Sequence, residues 1–215
     1  MRFKDREHAA HLLAERLRAA YKDKHSLVLG VPRGAMPMAK IIADALGGEL
    51  DVVLVHKLGH PDQPELAIGA IDESGNTILS DWAGELDPRY IEDEKRRQLE
   101  TLRARRARYT PQRQPISPQG RIVIVVDDGI ATGSTMLAAL RAVRAKNPAK
   151  LIGAVAVASA GAARAMLHEC DGMVCLNVPA DFSAVGEFFD DFSQVSDEDV
   201  IAVLRRSEAE MAKAG

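Results

Sequence analysis

One continuous segment, from Arg121 to Thr135 (RIVIVVDDGIATGST), restricts the fold more than any other part of the chain. It starts with an unbroken run of branched apolar residues, Ile122 to Val126, and then carries two adjacent carboxylates, Asp127 and Asp128. An apolar run without alternation is typical of a strand covered on both faces, as in a parallel sheet. A short turn with glycines follows, and the apolar spacing after it predicts a helix. The segment therefore predicts a strand, a turn and a helix in that order.

The end of this predicted strand has the features of a ligand site. In open α/β sheets ligands bind beyond the carboxyl ends of the strands, where Asp127 and Asp128 are expected. The turn after them brings backbone N–H groups to a helix N-terminus, which favours an anion such as phosphate. The carboxylates add acceptors for vicinal hydroxyls, or for water on a divalent ion, so a ribose 5-phosphate suits the whole segment. The alternative is an acidic strand end before an ordinary capped helix. The lysine of the G-x-x-x-x-G-K-[ST] nucleotide motif is absent from Gly133-Ser134-Thr135.

The stretch VVDDGIATGST, Val125 to Thr135, closely resembles the 5-phosphoribosyl-1-diphosphate (PRPP) signature of type I phosphoribosyltransferases. By that resemblance, the two aspartates hold the ribose hydroxyls and the residues after them hold the 5-phosphate. Ala131 stands where 6-oxopurine enzymes place an aspartate, as it does in adenine and uracil enzymes, which argues against a guanine or hypoxanthine acceptor that needs a base there. The implied PRPP-binding residues of this segment are Asp127, Asp128, Gly129, Ala131, Thr132, Gly133, Ser134 and Thr135.

A second strand–loop–helix unit comes earlier in the chain. A strand over residues 26–31 runs into Pro32-Arg33-Gly34-Ala35, and a helix is predicted over residues 37–46. An arginine in such a loop can bind an anion through two N–H groups, whereas the alternative is a plain turn with a solvated arginine. In the family, this is the place of the loop that holds the leaving diphosphate, so the resemblance assigns that role to Arg33 and Gly34.

A third anion contact is predicted at Lys57. A strand over residues 51–56 leads to this lysine and then to a loop with glycine and prolines, Leu58 to Glu65. The segment His56-Lys57-Leu58-Gly59 is similar to the one that opens the mobile loop of orotate and adenine phosphoribosyltransferases. The resemblance implies that Lys57 contacts PRPP and that the loop closes over the site and excludes water. The alternative is a solvated loop lysine.

Two further segments are predicted outside the sheet. Residues 82–118 are expected to be an inserted helical arm and linker, with a charged helix over residues 87–109 whose second half is basic. No aromatic residues interleave with these charges, so a solvated helix or a protein-contact arm is favoured over a nucleic-acid patch. Residues 178–195 are the candidate hood, because four of the five phenylalanines lie between positions 182 and 192. Aromatic faces there could stack on an acceptor, or form a small cap core instead. The acceptor-binding candidates are Phe182, Val185 and Phe188.

Length and composition limit the remaining choices. The 215 residues suit a single phosphoribosyltransferase-like α/β domain, and strands that alternate with helices predict one doubly wound, mostly parallel sheet. A net charge of −3 gives no electrostatic argument for nucleic acid or membrane, and no apolar run approaches membrane length. Cys170 and Cys175 lack zinc-type spacing and are expected to be buried reduced thiols of a cytoplasmic protein.

The resemblance implies a glycosyltransferase that moves the 5-phosphoribosyl group from PRPP to a nitrogenous acceptor, a nucleobase, in nucleotide salvage. Its catalytic residues would be Lys57, Arg33, Asp127 and Asp128. Mg2+ would enter with PRPP and have no direct protein ligand, with a water bridge to Asp127 or Asp128. The expected partners are small molecules, PRPP and a base, with a homo-oligomer left open. Two alternatives remain: a non-catalytic PRPP-sensing regulator, and another sugar-phosphate enzyme that uses the same two anion loops.

Overall fold

The computed structural model describes residues 1–63 and 66–214. Its strands and helices alternate along most of the chain, as the sequence predicts. The strands are β1 (Leu27–Gly30), β2 (Glu49–Val52), β3 (Val55–Gly59), β4 (Ala67–Asp72), β5 (Thr77–Leu79), β6 (Ile122–Ile130), β7 (Lys150–Ala158) and β8 (Gly172–Asn177). The α-helices are α1 (Arg6–Tyr21), α2 (Met36–Leu46), α3 (Pro88–Tyr109), α4 (Ser134–Arg144), α5 (Ala160–Met166) and α6 (Asp197–Ala214). Two 3-10 helices cover Asp81–Glu85 and Val185–Phe188.

The centre of the molecule is a five-stranded sheet in the order β2-β1-β6-β7-β8, and all of its strand pairs are parallel. After β1 the chain adds β2 at one edge of the sheet, and after β6 it adds β7 and β8 toward the opposite edge. Such crossovers are right-handed, so α2 and α4 cover opposite faces of the sheet. The predicted doubly wound parallel sheet is confirmed. Its topological switch point lies between β1 and β6, and ligands bind at such points in open α/β sheets.

The core is aliphatic, in keeping with an aromatic content of 4%. Residues 123–126 of β6 and residues 151–158 of β7 are buried throughout, because helices cover both faces of the central strands. Alanines and one glycine alternate with larger residues in β7, which lets helices approach the sheet closely. The buried residues 123–126 of β6 therefore lead directly to the two aspartates.

The predicted strand over residues 51–56 is interrupted. β2 ends at Val52, whose carbonyl oxygen accepts a hydrogen bond from Arg106 Nη2 at 2.9 Å. The chain then enters β3, which pairs antiparallel with β4, and β4 pairs with β5 in a separate three-stranded sheet packed over α4. The prediction of Lys57 at the carboxyl end of a core strand is therefore wrong. Antiparallel pairing opposite Ala70 places this lysine inside β3 instead.

The charged helix of the predicted arm exists, and Asp87 caps its N-terminus by accepting a hydrogen bond from Arg89 N at 2.8 Å. One face of α3 packs on β3, β4 and α6 of its own chain, while most of its charged residues are exposed, as expected of a solvated helix. Leu102 and Tyr109 are buried in that contact. The divisions of the chain at residues 82–118 and 178–195 remain predictions.

The segment with the phenylalanines joins the N-terminus. Phe3 N donates to Phe188 O at 2.8 Å, and Asp190 N donates to Phe3 O at 2.9 Å. Phe3 and Phe189 are both buried, with ring centroids 5.3 Å apart. The first residues of the chain therefore form part of the candidate hood.

The two cysteines are free thiols, and each is half-buried rather than buried as predicted. Cys170 lies just outside the sheet and Cys175 lies in the edge strand β8, so neither is covered on all sides. Within the described ranges no helix is both long and apolar enough to cross a membrane.

Candidate active site

Two neighbouring carboxylates stand at the switch point of the sheet. The sequence predicted the acids at the end of the strand. In the structure β6 continues through Asp127 and Asp128 to Ile130, so the acids lie inside the strand. Pairing with β7 extends as far as Ile130 opposite Ala158, which explains the longer strand. The backbone N–H of Asp128 donates to Asp127 Oδ1 at 2.9 Å and fixes the first carboxylate against its own strand.

Burial makes the charge of this pair costly. It raises the pKa of Asp127 well above the ordinary range of an aspartate, and the neighbouring charge of Asp128 raises it further. Burial also raises the pKa of Asp128, although the guanidinium of Arg6 opposes this rise. Carboxylates with raised pKa values in an accessible cleft are typical of binding and catalytic sites.

Arg6, the first residue of α1, is the basic partner of this pair, and the sequence analysis missed it. Its Nε donates to Asp128 Oδ2 at 2.8 Å, and both side chains are largely buried. The contact joins positions 122 residues apart in sequence. No local motif marks Arg6 among the basic residues of the chain, so the sequence alone offered no signal.

The turn after the acids forms the predicted anion loop. Gly133 adopts a left-handed conformation with φ of 78°, and α4 begins at the next residue. The hydroxyls of Thr132 and Ser134 lie 3.1 Å apart, and Ala131, Thr132 and Thr135 are exposed. Exposed backbone N–H groups and hydroxyls at the N-terminus of an 11-residue helix suit a phosphate.

The second predicted loop touches the acids directly. Val31 N donates to Val126 O at 2.9 Å, which carries the loop after β1 alongside β6. A Cβ atom on Gly34 would overlap Asp128 Oδ2, so only glycine allows the loop and the carboxylate to lie this close. Arg33 is exposed beside this contact. The structure thus brings the loop of Arg33 and Gly34 together with the acid pair, as the sequence analysis expected from two separate motifs.

Lys57 is the third predicted anion contact, and it lies in β3. In β3 it lines a cavity of about 160 Å3 together with Ser134 and Leu137 of α4. Ser134, at the start of α4, is a predicted site residue that lines the same cavity. The predicted closing loop, Leu58 to Glu65, begins in β3, and His60 N donates to Leu66 O at 2.9 Å across it. Residues 64 and 65 lie outside the described residues.

The candidate hood approaches β6 at Gly129. A Cβ atom there would lie 2.5 Å from Val185 Cγ1, so the glycine allows Val185 to pack directly against the strand beside the acids. Phe182 and Phe188 stack on one another with centroids 5.5 Å apart. These two rings serve at least partly as a cap core, which was the alternative interpretation of the aromatic segment.

The described residues contain no group of three or more His, Cys, Asp and Glu side chains that could hold a metal ion. Asp127 and Asp128 provide oxygen ligands of the kind that Mg2+ prefers, but an octahedral ion would need most of its ligands from water or substrate. The donor set therefore fits an ion that arrives on a phosphate ligand.

Comparisons with known proteins give matches along nearly the whole chain. A family model described as "Phosphoribosyl transferase domain" matches residues 4–191. A protein of Mycobacterium tuberculosis strain H37Rv named "Putative phosphoribosyl transferase" is 42% identical over 216 residues, covering 99% of this chain and 48% of that protein. The crystal structure of TT1426 from Thermus thermophilus superimposes with a TM-score of 0.88 and 45% identity, covering 96% of this chain and 99% of that one. The chain spans about half the length of the curated relatives it matches.

Proposed function

This chain belongs to the phosphoribosyl transferase family, and we propose on that premise that it transfers the 5-phosphoribosyl group from PRPP to a nitrogenous acceptor, a nucleobase, and releases diphosphate. The observation that carries the proposal is the meeting of two candidate anion loops and a half-buried carboxylate pair at the switch point between β1 and β6. The substrate would lie across that point, with its two phosphate groups on the two loops and its ribose between them.

The hydrogen bonds around the acids support this placement of the ribose. Within the described part of the chain, Asp127 Oδ1 accepts from the backbone and Asp128 Oδ2 accepts from Arg6. Asp128 also accepts from the backbone N–H of Gly129, and the remaining lone pairs of the two carboxylates would accept from substrate. Two acceptors side by side suit two vicinal hydroxyls, because each hydroxyl can donate to one carboxylate.

Catalysis would consist of stabilising separated charge. As the bond from C1 of the ribose to the diphosphate breaks, positive charge develops on the ring and negative charge on the leaving group. Arg33, Lys57 and the backbone N–H groups of the loops would stabilise the leaving group, and the carboxylates would stabilise the ring. A nitrogen of the acceptor forms the new bond to C1 on the opposite face and loses its proton to solvent.

Magnesium belongs to this proposal as an ion carried by PRPP, where it would neutralise charge on the diphosphate. Asp127 or Asp128 would contact it through water. Closure of the Leu58–Glu65 loop would exclude water and so suppress hydrolysis of PRPP.

A role in nucleotide salvage, a cytoplasmic location and a homo-oligomeric state are further parts of the proposal, and PRPP and a base are its expected small-molecule partners.

A non-catalytic PRPP-sensing protein is the second candidate. It is favoured by the stack of Phe182 on Phe188, because rings packed on each other offer fewer free faces to an acceptor. This candidate predicts PRPP binding without release of diphosphate in the presence of any base.

The test is titration calorimetry of PRPP with Mg2+ on wild type and on the Asp127→Asn/Asp128→Asn double variant. We expect at least about tenfold weaker binding in the variant, since two charge-assisted acceptors are lost. Asp190→Asn is the matched control, because this carboxylate is exposed and pairs with Arg2 on the surface. Diphosphate release is then measured with a panel of nucleobases. Wild type that binds no PRPP would refute both candidates.

A further inference from the structure

The side chain of Arg6 contacts three parts of the molecule at once. Its Nε donates to Asp128 Oδ2 at 2.8 Å, and its Nη1 donates to the carbonyl oxygen of Ser193 at 2.7 Å. Its Cζ lies 3.8 Å from the centroid of the Phe192 ring. One guanidinium thus joins the N-terminus of α1 to the acid pair and to the end of the candidate hood.

Only arginine can make this set of contacts. The planar guanidinium presents separate N–H groups in fixed directions, and its flat face stacks on an aromatic ring. A lysine ammonium could reach one oxygen but could not hold both acceptors and the ring together. The arrangement is largely buried, with 13% of the Arg6 side chain and 14% of the Asp128 side chain exposed, so water competes weakly for these hydrogen bonds.

The contacts continue from Arg6 through the hood. Phe192 stacks on Phe189 with centroids 4.9 Å apart, and Phe189 packs on Phe3, three positions before Arg6. The charged neighbours of the guanidinium are Asp127 on β6 and Asp191 in the hood segment, in addition to Asp128 itself. Movement of Asp128 would therefore shift a guanidinium that is packed against the hood.

We propose that Arg6 is a positioning residue of the PRPP site: it orients the Asp128 carboxylate and ties it to Phe192 and Ser193, so that occupation of the ribose site changes the hood. The inference rests on the proposed function, because the ribose is the ligand that engages Asp128. Arg6 holds Oδ2 and thereby fixes the orientation in which the carboxylate would accept a ribose hydroxyl. A ribose bound at Asp128 would therefore shift the same guanidinium, and with it the hood segment that would select the acceptor.

The first test compares Mg2+–PRPP binding by calorimetry in wild type, Arg6→Gln and Arg6→Lys. We expect about tenfold weaker binding in Arg6→Gln, because a charged hydrogen bond that orients the acid is lost. Arg6→Lys should recover part of that loss, since it keeps the charge but not the second hydrogen bond. Arg2→Gln is the matched control: Arg2 also pairs with an aspartate of the hood segment, Asp190, but on the exposed surface. Its affinity should stay within about twofold of wild type.

The second test measures the coupling itself. Protein labelled with fluorophenylalanine is titrated with Mg2+–PRPP, and the Phe192 resonance is identified by its loss in Phe192→Leu. In wild type this resonance should shift as the ribose site fills. In Arg6→Gln at saturating PRPP the shift should be lost, whereas a merely structural Arg6 would leave it in place.

The outcomes distinguish a failure of the Arg6 role from a failure of the proposed function. If wild type binds no PRPP in either measurement, the proposed function fails and the role of Arg6 fails with it. If wild type binds PRPP while Arg6→Gln binds it equally well, or while the Phe192 resonance does not move, the role of Arg6 is overturned and the proposed function stands.

Discussion

At the scale of single residues, the charge on Asp127 that is proposed to bind substrate also lowers the stability of the folded protein. Its folded-state pKa is raised, so the folded protein holds the proton more tightly than the unfolded chain does. The resulting destabilisation is absent below the ordinary aspartate pKa of about 3.9, grows as the pH rises, and is complete above the folded pKa. A site that binds hydroxyls through ionised acids therefore weakens the empty fold at neutral pH.

Asp127→Asn should accordingly raise the melting temperature while it weakens PRPP binding. The amide oxygen can still accept the Asp128 N–H, and the buried charge is gone. We expect a gain of roughly 2–4 °C for each kcal/mol recovered. Thermal unfolding at pH 5 and pH 8 is the measurement, and the gain should be larger at pH 8. An equal or smaller gain at pH 8 would contradict the assignment of a raised pKa.

Gly34 gives a second test at this scale. In Gly34→Ala the new Cβ must displace either the loop or the Asp128 carboxylate, because the two are in direct contact. We expect PRPP affinity to fall by about tenfold or more, equivalent to ~1.4 kcal/mol. Gly161→Ala is the control, since a Cβ at that position meets open space, and it should bind PRPP like wild type. Calorimetry on both variants decides the matter, and equal affinities would show that the two loops are not coupled.

The acids and both loops could be predicted from the sequence because each is a short local motif on a strand–turn–helix unit. Arg6 could not, because its role depends on a contact between distant positions. The site roles of Lys57 and of the hood residues remain predictions. Lys57 in particular lines a cavity with Ser134 because β3 pairs with β4 in a separate sheet, and no local pattern reveals that pairing.

At the scale of elements, α3 is held to the core by one buried arginine. Arg106 donates to Asp51 at 2.8 Å and to both oxygens of Glu73 at 2.5 Å, and only 11% of its side chain is exposed. Asp51 is 1% exposed, so its charge depends on Arg106 and on the neighbouring Arg113. The helix that the sequence presented as a charged surface element is thus bound by charge from its inner face.

Arg106→Met should destabilise the protein strongly, by ~3–5 kcal/mol, because it leaves Glu73 and part of the Asp51 charge unpaired in the interior. Arg103→Met, on the exposed side of the same helix, should change stability by less than about 0.5 kcal/mol. Urea unfolding of the two variants provides the comparison. Similar losses in both would mean that α3 is stabilised by general helix charge rather than by this ion-pair network.

The sequence predicted the existence of most elements and placed α3 within a residue of its observed start. It could not predict the break after Val52, because the residues on either side form one continuous β-rich stretch. The break depends on partners elsewhere in the chain: Arg106 binds the last carbonyl of β2, and the strand Ala67–Asp72 pairs with β3. Periodicity reports which residues favour a strand, whereas pairing decides which sheet they join.

At the scale of the whole molecule, the parallel sheet and its switch point were predictable because alternation of strands and helices leaves few permitted topologies. The hood was less predictable. Its shape depends on how Val185 reaches Gly129 and how Phe189 reaches Phe3, and such packing has no signature in either segment alone. That this region selects the acceptor remains a prediction, because the family resemblance concerns the donor substrate and not the base.

The pairing of the first residues with the hood has a practical consequence. Met1 accepts a hydrogen bond from Asn177, and Phe3 pairs with Phe189 beside the acceptor-binding candidates Phe188 and Val185. A purification tag fused ahead of Met1 would therefore lie beside the candidate hood. Screens for the proposed acceptor should therefore use protein without an N-terminal tag, because a tag at that position could change which bases enter the proposed site.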